Sequence, residues 1–132
     1  MEIYHTKIKP VPGTNYSEVY PRACALYKQI ASKTKRRPYV RSAYFNKEKV
    51  FLDLFWEHVR QKNLRDRARR LKYYPCALDL IGYSRIRPSS QLNPMRKSEI
   101  LHRFTGIYMD KLFHVQIKEY KSGEKHFISI FP

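Results

Sequence analysis

The carboxy-terminal residues, 99–132, contain the side chains best suited to chemistry. Apolar residues there alternate with imidazole, guanidinium, ammonium, amide and hydroxyl groups: His102, Arg103, His114, Gln116, Lys118, His126 and Ser129. Cutting RNA without a metal requires a base for the ribose 2′-hydroxyl, a cation for the phosphorane and an acid for the leaving 5′-oxygen. Imidazole can be the base or the acid near neutral pH, and a guanidinium binds two phosphate oxygens. The residue types therefore fit chemistry on RNA.

Four of these residues are predicted to form a catalytic group. His102 would be base or acid, Arg103 and Lys118 would stabilise charge, and Ser129 would orient the phosphate. Neighbouring residues of a regular strand point to opposite faces, so His102 and Arg103 meet at one phosphate only through a β-bulge, a strand end or a local helix. Of these two, His102 is the candidate we favour. The alternative is that all four are scaffold or solvated residues.

The chain is strongly basic, with 27 Lys and Arg against 11 Asp and Glu and a net charge of +16. Such a charge favours an anionic partner, and nucleic acid, RNA above all, is the first candidate. A merely solvated helix face is the alternative for residues 60–72, although solvated faces usually mix both signs of charge. The predicted nucleic-acid-binding residues are Arg60, Lys62, Arg65, Arg67, Arg69, Arg70, Lys72, Arg36 and Arg37.

Other features limit the class of protein. No apolar run approaches the roughly 18 residues of a membrane span, and the first residues do not form a signal or transit peptide. Cys24 and Cys76 are isolated in apolar stretches, which predicts two buried free thiols and a reducing, cytoplasmic compartment. No zinc-ligand spacing surrounds them. We therefore expect neither a metal nor another cofactor, and no membrane partner.

Residues 1–98 are predicted to be mainly helical, within one α+β domain that covers residues 1–132. Asn46 and Asn63 are candidate N-caps, and Pro75 should break or restart a helix. A short strand could precede the helices, and two segments have the composition of loops. The predicted ranges are a strand within 2–11, helices over 17–32, 47–61, 63 onward and 76–81, and loops over 33–41 and 83–97.

From Glu99 onward, apolar and polar residues alternate with a period of two. Strands over 99–108, 112–120 and 125–131, joined by short turns, predict a three-stranded antiparallel meander that forms most of a small sheet. The helices would pack on the face of this sheet that carries Phe113, Val115 and Ile117. The other face, with its polar residues, would then be open to a ligand.

Three runs in this segment carry a resemblance to a known group: Glu99–Phe104, Leu112–Lys118 and Phe127–Pro132, which ends in Ser, Ile, an aromatic residue and Pro. Together they resemble the barnase–EndoU–colicin–RelE superfamily of small metal-independent ribonucleases. The resemblance implies amino-terminal helices packed on an antiparallel sheet. It also implies a catalytic histidine at His102, a phosphate-stabilising cation at Arg103 or Lys118, and a terminal hydroxyl at Ser129.

The resemblance and the charge together predict an RNA-binding endoribonuclease of toxin or phage-associated type, cleaving by 2′-hydroxyl attack. An acidic protein inhibitor or antitoxin could be a further partner. Two alternatives remain open. One is a non-catalytic nucleic-acid-binding protein that uses the cationic residues 60–72, and the other is a small phage-type inhibitor that docks on an acidic surface.

Overall fold

The computed structural model describes residues 2–131, which form four helices and a seven-stranded sheet. The predicted mixed α+β class is confirmed. The helices are α1 (Tyr16–Ser32), α2 (Asp53–Val59), α3 (Leu64–Lys72) and α4 (Tyr74–Tyr83). The strands are β1 (Tyr4–His5), β2 (Tyr39–Ser42), β3 (Glu48–Phe51), β4 (Ser89–Asn93), β5 (Arg96–Tyr108), β6 (Lys111–Glu119) and β7 (Lys125–Phe131).

The sheet is mixed and larger than the predicted small antiparallel sheet. Its strand order is β1-β5-β6-β7-β3-β2, and β4 also pairs with β5. Strand β6 is antiparallel to both β5 and β7, but β1 runs parallel to β5 and β3 runs parallel to β7. The region predicted to be mainly helical, residues 1–98, therefore contributes strands β1 to β4 in addition to the helices.

The predicted second helix, 47–61, is wrong at its start. Asn46 and Lys47 have φ angles of 56° and 65°, in the left-handed region, and they form a tight turn between β2 and β3. Lys47 N donates to Ser42 O at 2.7 Å and closes this turn. Val50 and Phe51 then pair with β7, a contact between segments 75 residues apart that local spacing does not reveal. The helix itself begins only at Asp53.

The other differences also concern short strands. The two predicted loops contain β2 and β4, and the predicted first strand is reduced to two residues in β1. At the helix ends, Asn63 is the predicted cap of α3, and its side chain accepts from Asp66 N at 2.9 Å. Ser17, at the start of the predicted helix 17–32, is of a residue type that caps helices, but the cap of α1 is Asn15. Strands β1 and β3 pair with partners far along the sequence, whereas β2 and β4 form hairpins with the strands that follow them.

One sheet face is covered by the helices. On β6, Phe113, Val115 and Ile117 are fully buried and belong to a core that includes Phe55 of α2 and Leu80 of α4. We call this side of the sheet the inner face. The opposite side, where the intervening β6 residues lie, is the outer face. This division decides which polar side chains of the sheet a ligand can reach.

Among residues 2–131, no helix combines the length and the apolar character needed to cross a membrane. The two cysteines are free thiols, as predicted, although only Cys76 is fully buried and Cys24 is half-buried. Burial raises the pKa of the Cys76 thiol to about 12. Its Sγ donates to Ile8 O at 3.2 Å, so this thiol is held in its protonated form.

Candidate cleavage site and nucleic-acid interface

His102 lies on the inner face, which corrects the prediction that it belongs with the other three catalytic candidates. Its ring is 8% exposed and packs edge-on against Phe45, with the centroids 5.0 Å apart. Both ring nitrogens are occupied, because Nδ1 lies 2.7 Å from Ser90 Oγ and Nε2 lies 2.9 Å from Glu119 Oε1. A histidine in these surroundings holds β4, β5 and β6 together, and a phosphate cannot reach it.

The reason for this placement is the regular pairing of β5 with β6. His102 is opposite Ile117 and Arg103 is opposite Gln116, with no shift in register between them. No bulge or local helix re-aims either side chain, so the two residues point to opposite sides of the sheet. Arg103 is the exposed member of the pair. The preference for His102 over Arg103 is therefore reversed.

The outer face brings other polar side chains together. Arg103, Gln116 and Ser129 are in register across β5, β6 and β7. Thr105 and His114 form the next row across β5 and β6. Side chains directly opposite one another on one face lie about 5 Å apart. These five residues therefore line one surface, of which the sequence identified Arg103 and Ser129 as site residues.

His114 is the imidazole of this surface. It is half-buried, and its Nδ1 lies 3.0 Å from Thr105 Oγ1. No partner for Nε2 is found within residues 2–131. Burial, and next the positive charge of Arg103, lower the pKa of His114 below its usual 6.5. The ring is therefore neutral at pH 7, and if Nδ1 donates to Thr105, the Nε2 lone pair can accept a proton.

Arg70 of α3 extends the site from the helical layer. Its Nη1 donates to Ser129 Oγ at 2.8 Å and to Ile130 O at 2.7 Å, and its side chain is only 13% exposed. Strand β3 pairs with β7 only at Lys125 and His126 and does not reach Ile130. The Ile130 carbonyl therefore needs a hydrogen-bond donor other than β3. Arg70 supplies this donor. The predicted phosphate-binding Arg70 is thus also a structural residue that fixes the position of Ser129.

Two guanidinium groups flank the last aromatic ring of β7. The Cζ atoms of Arg70 and Arg103 lie 5.2 and 5.0 Å from the centroid of the Phe131 ring. Such contacts hold a cation in place without neutralising it. The salt bridges within residues 2–131 include none to Arg103, whereas Arg70 pairs with Asp66 at 3.4 Å. Arg103 is therefore the cation of this surface best placed to meet a phosphate.

Two cavities open this surface to a ligand. The first, of about 370 Å³, is lined by Arg103, Thr105 and His114 together with the loop of residues 84–89. The second, of about 110 Å³, is lined by Gln91, Leu101 and Gln116. They meet at Arg103 and Ser89, which line both. We call this pair of cavities the cleft.

Lys118 shares the outer face but lies outside the cleft. It is opposite Leu101 rather than Arg103, and its Nζ is 3.7 Å from Glu99 Oε1. Its Nζ is also 5.7 Å from the Tyr120 ring centroid. A lysine held by a buried carboxylate is a weaker candidate for charge stabilisation than Arg103. The four predicted catalytic residues are thus divided: Arg103 lines the cleft, Ser129 lies beyond Gln116 in the same row, Lys118 is outside the cleft and His102 is on the opposite face.

The cationic residues of 60–72 have different roles. Arg60, Lys62, Arg65 and Arg69 are exposed. Arg67 donates to the carbonyl oxygens of Lys62 and Arg60, at 2.8 and 2.5 Å, and Lys72 Nζ donates to Gly13 O. Four of the seven predicted residues therefore remain available to a phosphate backbone. The predicted stripe of Arg65, Arg69 and Lys72 does lie together, along one cavity of about 610 Å³ between α1 and α3.

The two predicted cations before β2 also differ from each other. Arg36 is exposed. Arg37 has contacts of 3.3 Å with Asp53, 3.4 Å with Glu124 and 3.4 Å with His126 Nδ1. The Asp53 hydrogen bond is the largest cause that raises the pKa of Arg37. Arg37 therefore joins β2, α2 and the β6–β7 turn, and Arg36 is the freer cation.

Sequence reasoning gave little weight to three groups that the structure brings to the cleft. His114 appears as a strand histidine like any other, Thr105 as an ordinary strand residue, and Arg87 as part of a nondescript loop. The signal that could have found His114 is the two-residue period of β6, which places it with Gln116 on the face opposite Val115. Arg87 lines the larger cavity only because β4 returns the chain to β5.

The cleft combines the guanidinium groups of Arg87 and Arg103 and the carboxylate of Glu2 with the imidazole of His114, a set of groups able to bind a phosphodiester and to remove a proton beside it. Among residues 2–131, no cluster of three His, Cys, Asp or Glu side chains could hold a metal ion. In comparisons with known proteins, no family model, no curated protein and no solved structure matches this chain.

Proposed function

We propose that this protein binds RNA and cleaves it in the cleft by attack of a ribose 2′-hydroxyl on the adjacent phosphate. One observation carries the proposal. His114, Arg103 and Ser129 share the open outer face, beside a guanidinium that is itself held in place, that of Arg70. The face is covered neither by a helix nor by a strand of the described chain. The free thiols of the protein favour a reducing, cytoplasmic setting for this reaction.

The chemistry follows from the charge of each group. Neutral His114 takes the 2′-hydroxyl proton at Nε2, and the 2′-oxygen attacks phosphorus. Arg103 stabilises the additional negative charge of the phosphorane, and the Ser129 hydroxyl, positioned by Arg70, donates to a phosphate oxygen. The 5′-oxygen leaves with a proton from water, because the cleft contains no second imidazole. The products are a 2′,3′-cyclic phosphate and a 5′-hydroxyl end.

Binding of RNA is supported by cations outside the cleft. Arg60, Lys62, Arg65 and Arg69 project from α2, α3 and their connection. Residues 2–131 place no carboxylate within 4 Å of these four side chains. Their interaction with phosphates would release counterions and would make binding depend steeply on salt. RNA is the proposed partner, and an acidic inhibitor that competes for these cations is a secondary proposal from the same charge.

The test is cleavage of a labelled RNA by the purified protein in EDTA. We expect products with cyclic-phosphate ends, and we expect His114→Ala to reduce the rate about 100- to 10,000-fold, the usual contribution of a general base. The matched control is His5→Ala, which removes an exposed imidazole on β1. A His114→Ala protein that is folded and cleaves as fast as the wild type would overturn the assignment.

A second candidate function is binding of nucleic acid without cleavage. The observation that favours it is the single imidazole of the cleft, because a ribonuclease usually has both a base and an acid. It predicts RNA that is retarded in a gel and recovered intact after long incubation. Binding that is lost in Arg65→Ser/Arg69→Ser but unchanged in His114→Ala would support it.

A further inference from the structure

We propose that a groove on the same face of the sheet as the cleft binds an unpaired base of the RNA on the ring of Tyr39. This inference rests on the proposed function for the identity of the ligand, but not on cleavage. The groove has a volume of about 620 Å³ and lies between β2, β3 and the segment that precedes them. It is lined by Lys33, Thr34, Lys35, Arg36, Arg37, Tyr39, Lys49 and Phe51. We call it the aromatic groove.

The aromatic side chains form an open platform. Tyr39 and Phe51 are directly opposite each other on β2 and β3, and their ring centroids are 6.3 Å apart at an interplanar angle of 73°. Both rings are half-buried although they lie on a short hairpin at the end of the sheet. Large aromatic side chains in such positions normally pack into a core. The Tyr39 ring presents part of its surface to a basic groove, where a base can stack on it. The Phe51 ring lies edge-on to Tyr39 and is itself covered by Arg37, whose Cζ is 4.4 Å from its centroid, and by the ring of His126, 5.4 Å away.

The charges around the platform suit a phosphate backbone. Lys33, Lys35, Arg36 and Lys49 are all exposed, and residues 2–131 place no carboxylate within 4 Å of any of them. The acids that do lie nearby, Asp53 and Glu124, are paired with Arg37. Arg37 therefore forms the ion pairs with both local acids, and the other cations remain unpaired within residues 2–131. Cations beside exposed aromatic rings are the usual features of a surface that binds single-stranded nucleic acid.

The same rings explain why the ligand must be unpaired. A base can lie flat on Tyr39 only when its face is exposed, and in a duplex both faces are covered by neighbouring base pairs. In this structure Lys49 Nζ is 4.7 Å and Arg41 Cζ is 5.4 Å from the centroid of the Tyr39 ring. Both side chains are exposed and long. An incoming base would displace one of them from the ring and leave it beside the base's own phosphate.

The aromatic groove and the cleft are parts of one face. Phe51 is in register with His126 on β7, and His126 is in register with Lys118 on β6. Lys118 is two residues from Gln116 in the cleft, a distance of about 7 Å along a strand. A single RNA strand can therefore run across β3, β7 and β6 from the platform to His114. The platform would then bind a part of the RNA that lies away from the scissile phosphate.

The experiment measures binding of a single-stranded 2′-O-methyl RNA oligonucleotide, which lacks the attacking hydroxyl and stays intact. We expect Tyr39→Ala to weaken binding between about fivefold and a hundredfold, the range for loss of one stacked base. Tyr39→Phe, which keeps the ring, should bind like the wild type. The matched control is Tyr83→Ala, because Tyr83 is 73% exposed and lies outside the groove. Phe51→Leu provides a second test if Tyr39→Ala does not fold.

A duplex of the same sequence is the second ligand. We expect it to bind the wild type more weakly than the single strand and to be insensitive to Tyr39→Ala. Equal losses in Tyr39→Ala and Tyr83→Ala, or a duplex that binds as tightly as the single strand, would overturn the platform. These measurements involve no cleavage. A negative result here would overturn the platform alone, whereas the cleavage proposal is tested by His114→Ala in the cleavage assay.

Discussion

Two histidines on adjacent strands show how the two faces of one sheet give the same side chain different surroundings. His102 on β5 and His114 on β6 have the same side chain, and each is within hydrogen-bond distance of a hydroxyl. They differ in the face that they occupy. His102 is enclosed by Phe45, Ser90 and Glu119 on the inner face, whereas His114 lies in a cavity with Arg103 on the outer face.

The difference teaches that access and charge, rather than residue type, decide which imidazole can react. Glu119 occupies the second nitrogen of His102, so this ring has no free position for a substrate. The neighbour of His114 is a cation instead, and Arg103 both lowers the pKa of the ring and can hold the phosphate that the ring would act on. A site on this sheet therefore has to be sought on the outer face.

After His114→Ala, the largest expected effect comes from removing the outer-face cation. Arg103→Ala should lower the cleavage rate about 100- to 1,000-fold, the usual cost of losing a group that stabilises transition-state charge. Arg103→Lys should recover part of the lost rate, because lysine keeps the positive charge but lacks the planar guanidinium group that binds two phosphate oxygens. Single-turnover cleavage rates measure both. A wild-type rate in Arg103→Ala would remove this residue from the mechanism.

On the inner face the expected effect is on stability. His102→Ala should lower the free energy of unfolding by about 1–3 kcal/mol, because Ser90 and Glu119 lose their partner and Phe45 loses a neighbour. Urea denaturation measures this change, and His114→Ala should cost less. Cleavage per folded molecule should be nearly unchanged in His102→Ala. A loss of cleavage without a loss of stability would return His102 to the mechanism.

The pH dependence of cleavage tests whether the His114 ring acts as the base. A base acts only when deprotonated, so the rate should rise with pH through the pKa of His114 and level off below neutrality. Because burial and Arg103 lower this pKa, the midpoint should lie below 6.5. In Arg103→Gln the midpoint should move upward, and NMR titration of the His114 ring should show the same shift. A midpoint above 6.5 in the wild type would contradict this assignment.

The smallest expected effect concerns Arg65 and Arg69 of α3, which line neither cavity of the cleft. Arg65→Ser/Arg69→Ser should reduce the slope of log affinity against log salt by about 1.4 for single-stranded RNA, if each residue neutralises one phosphate. Arg22→Ser/Lys28→Ser, which removes two exposed cations of α1, is the control. An identical slope in both double variants would limit RNA binding to the outer face.

Part of this fold could be predicted from the sequence because some signals are local. Asn63 and the apolar stripe after it mark the start of α3, and Pro75 marks the start of α4. The two-residue period from Glu99 onward marks three long strands. Strand β3 was missed because its partner β7 lies 75 residues away, and β4 was missed because its Ser, Gln and Asn residues lack the apolar alternation of a strand although it forms a hairpin with β5. The aromatic groove was missed with β3, since Phe51 has helical spacing with Leu54 and Phe55.

The sequence alone determined the positive charge, the mixed fold class and the alternation that assigns each residue of β6 to one of two faces. Only the tertiary structure decided which face is covered, and hence that His102 is buried while His114, Arg103 and Ser129 share the outer face. The physical reason is that alternation separates the residues of a strand into two sets. Which set meets solvent depends on where the helices pack, a property of the whole chain.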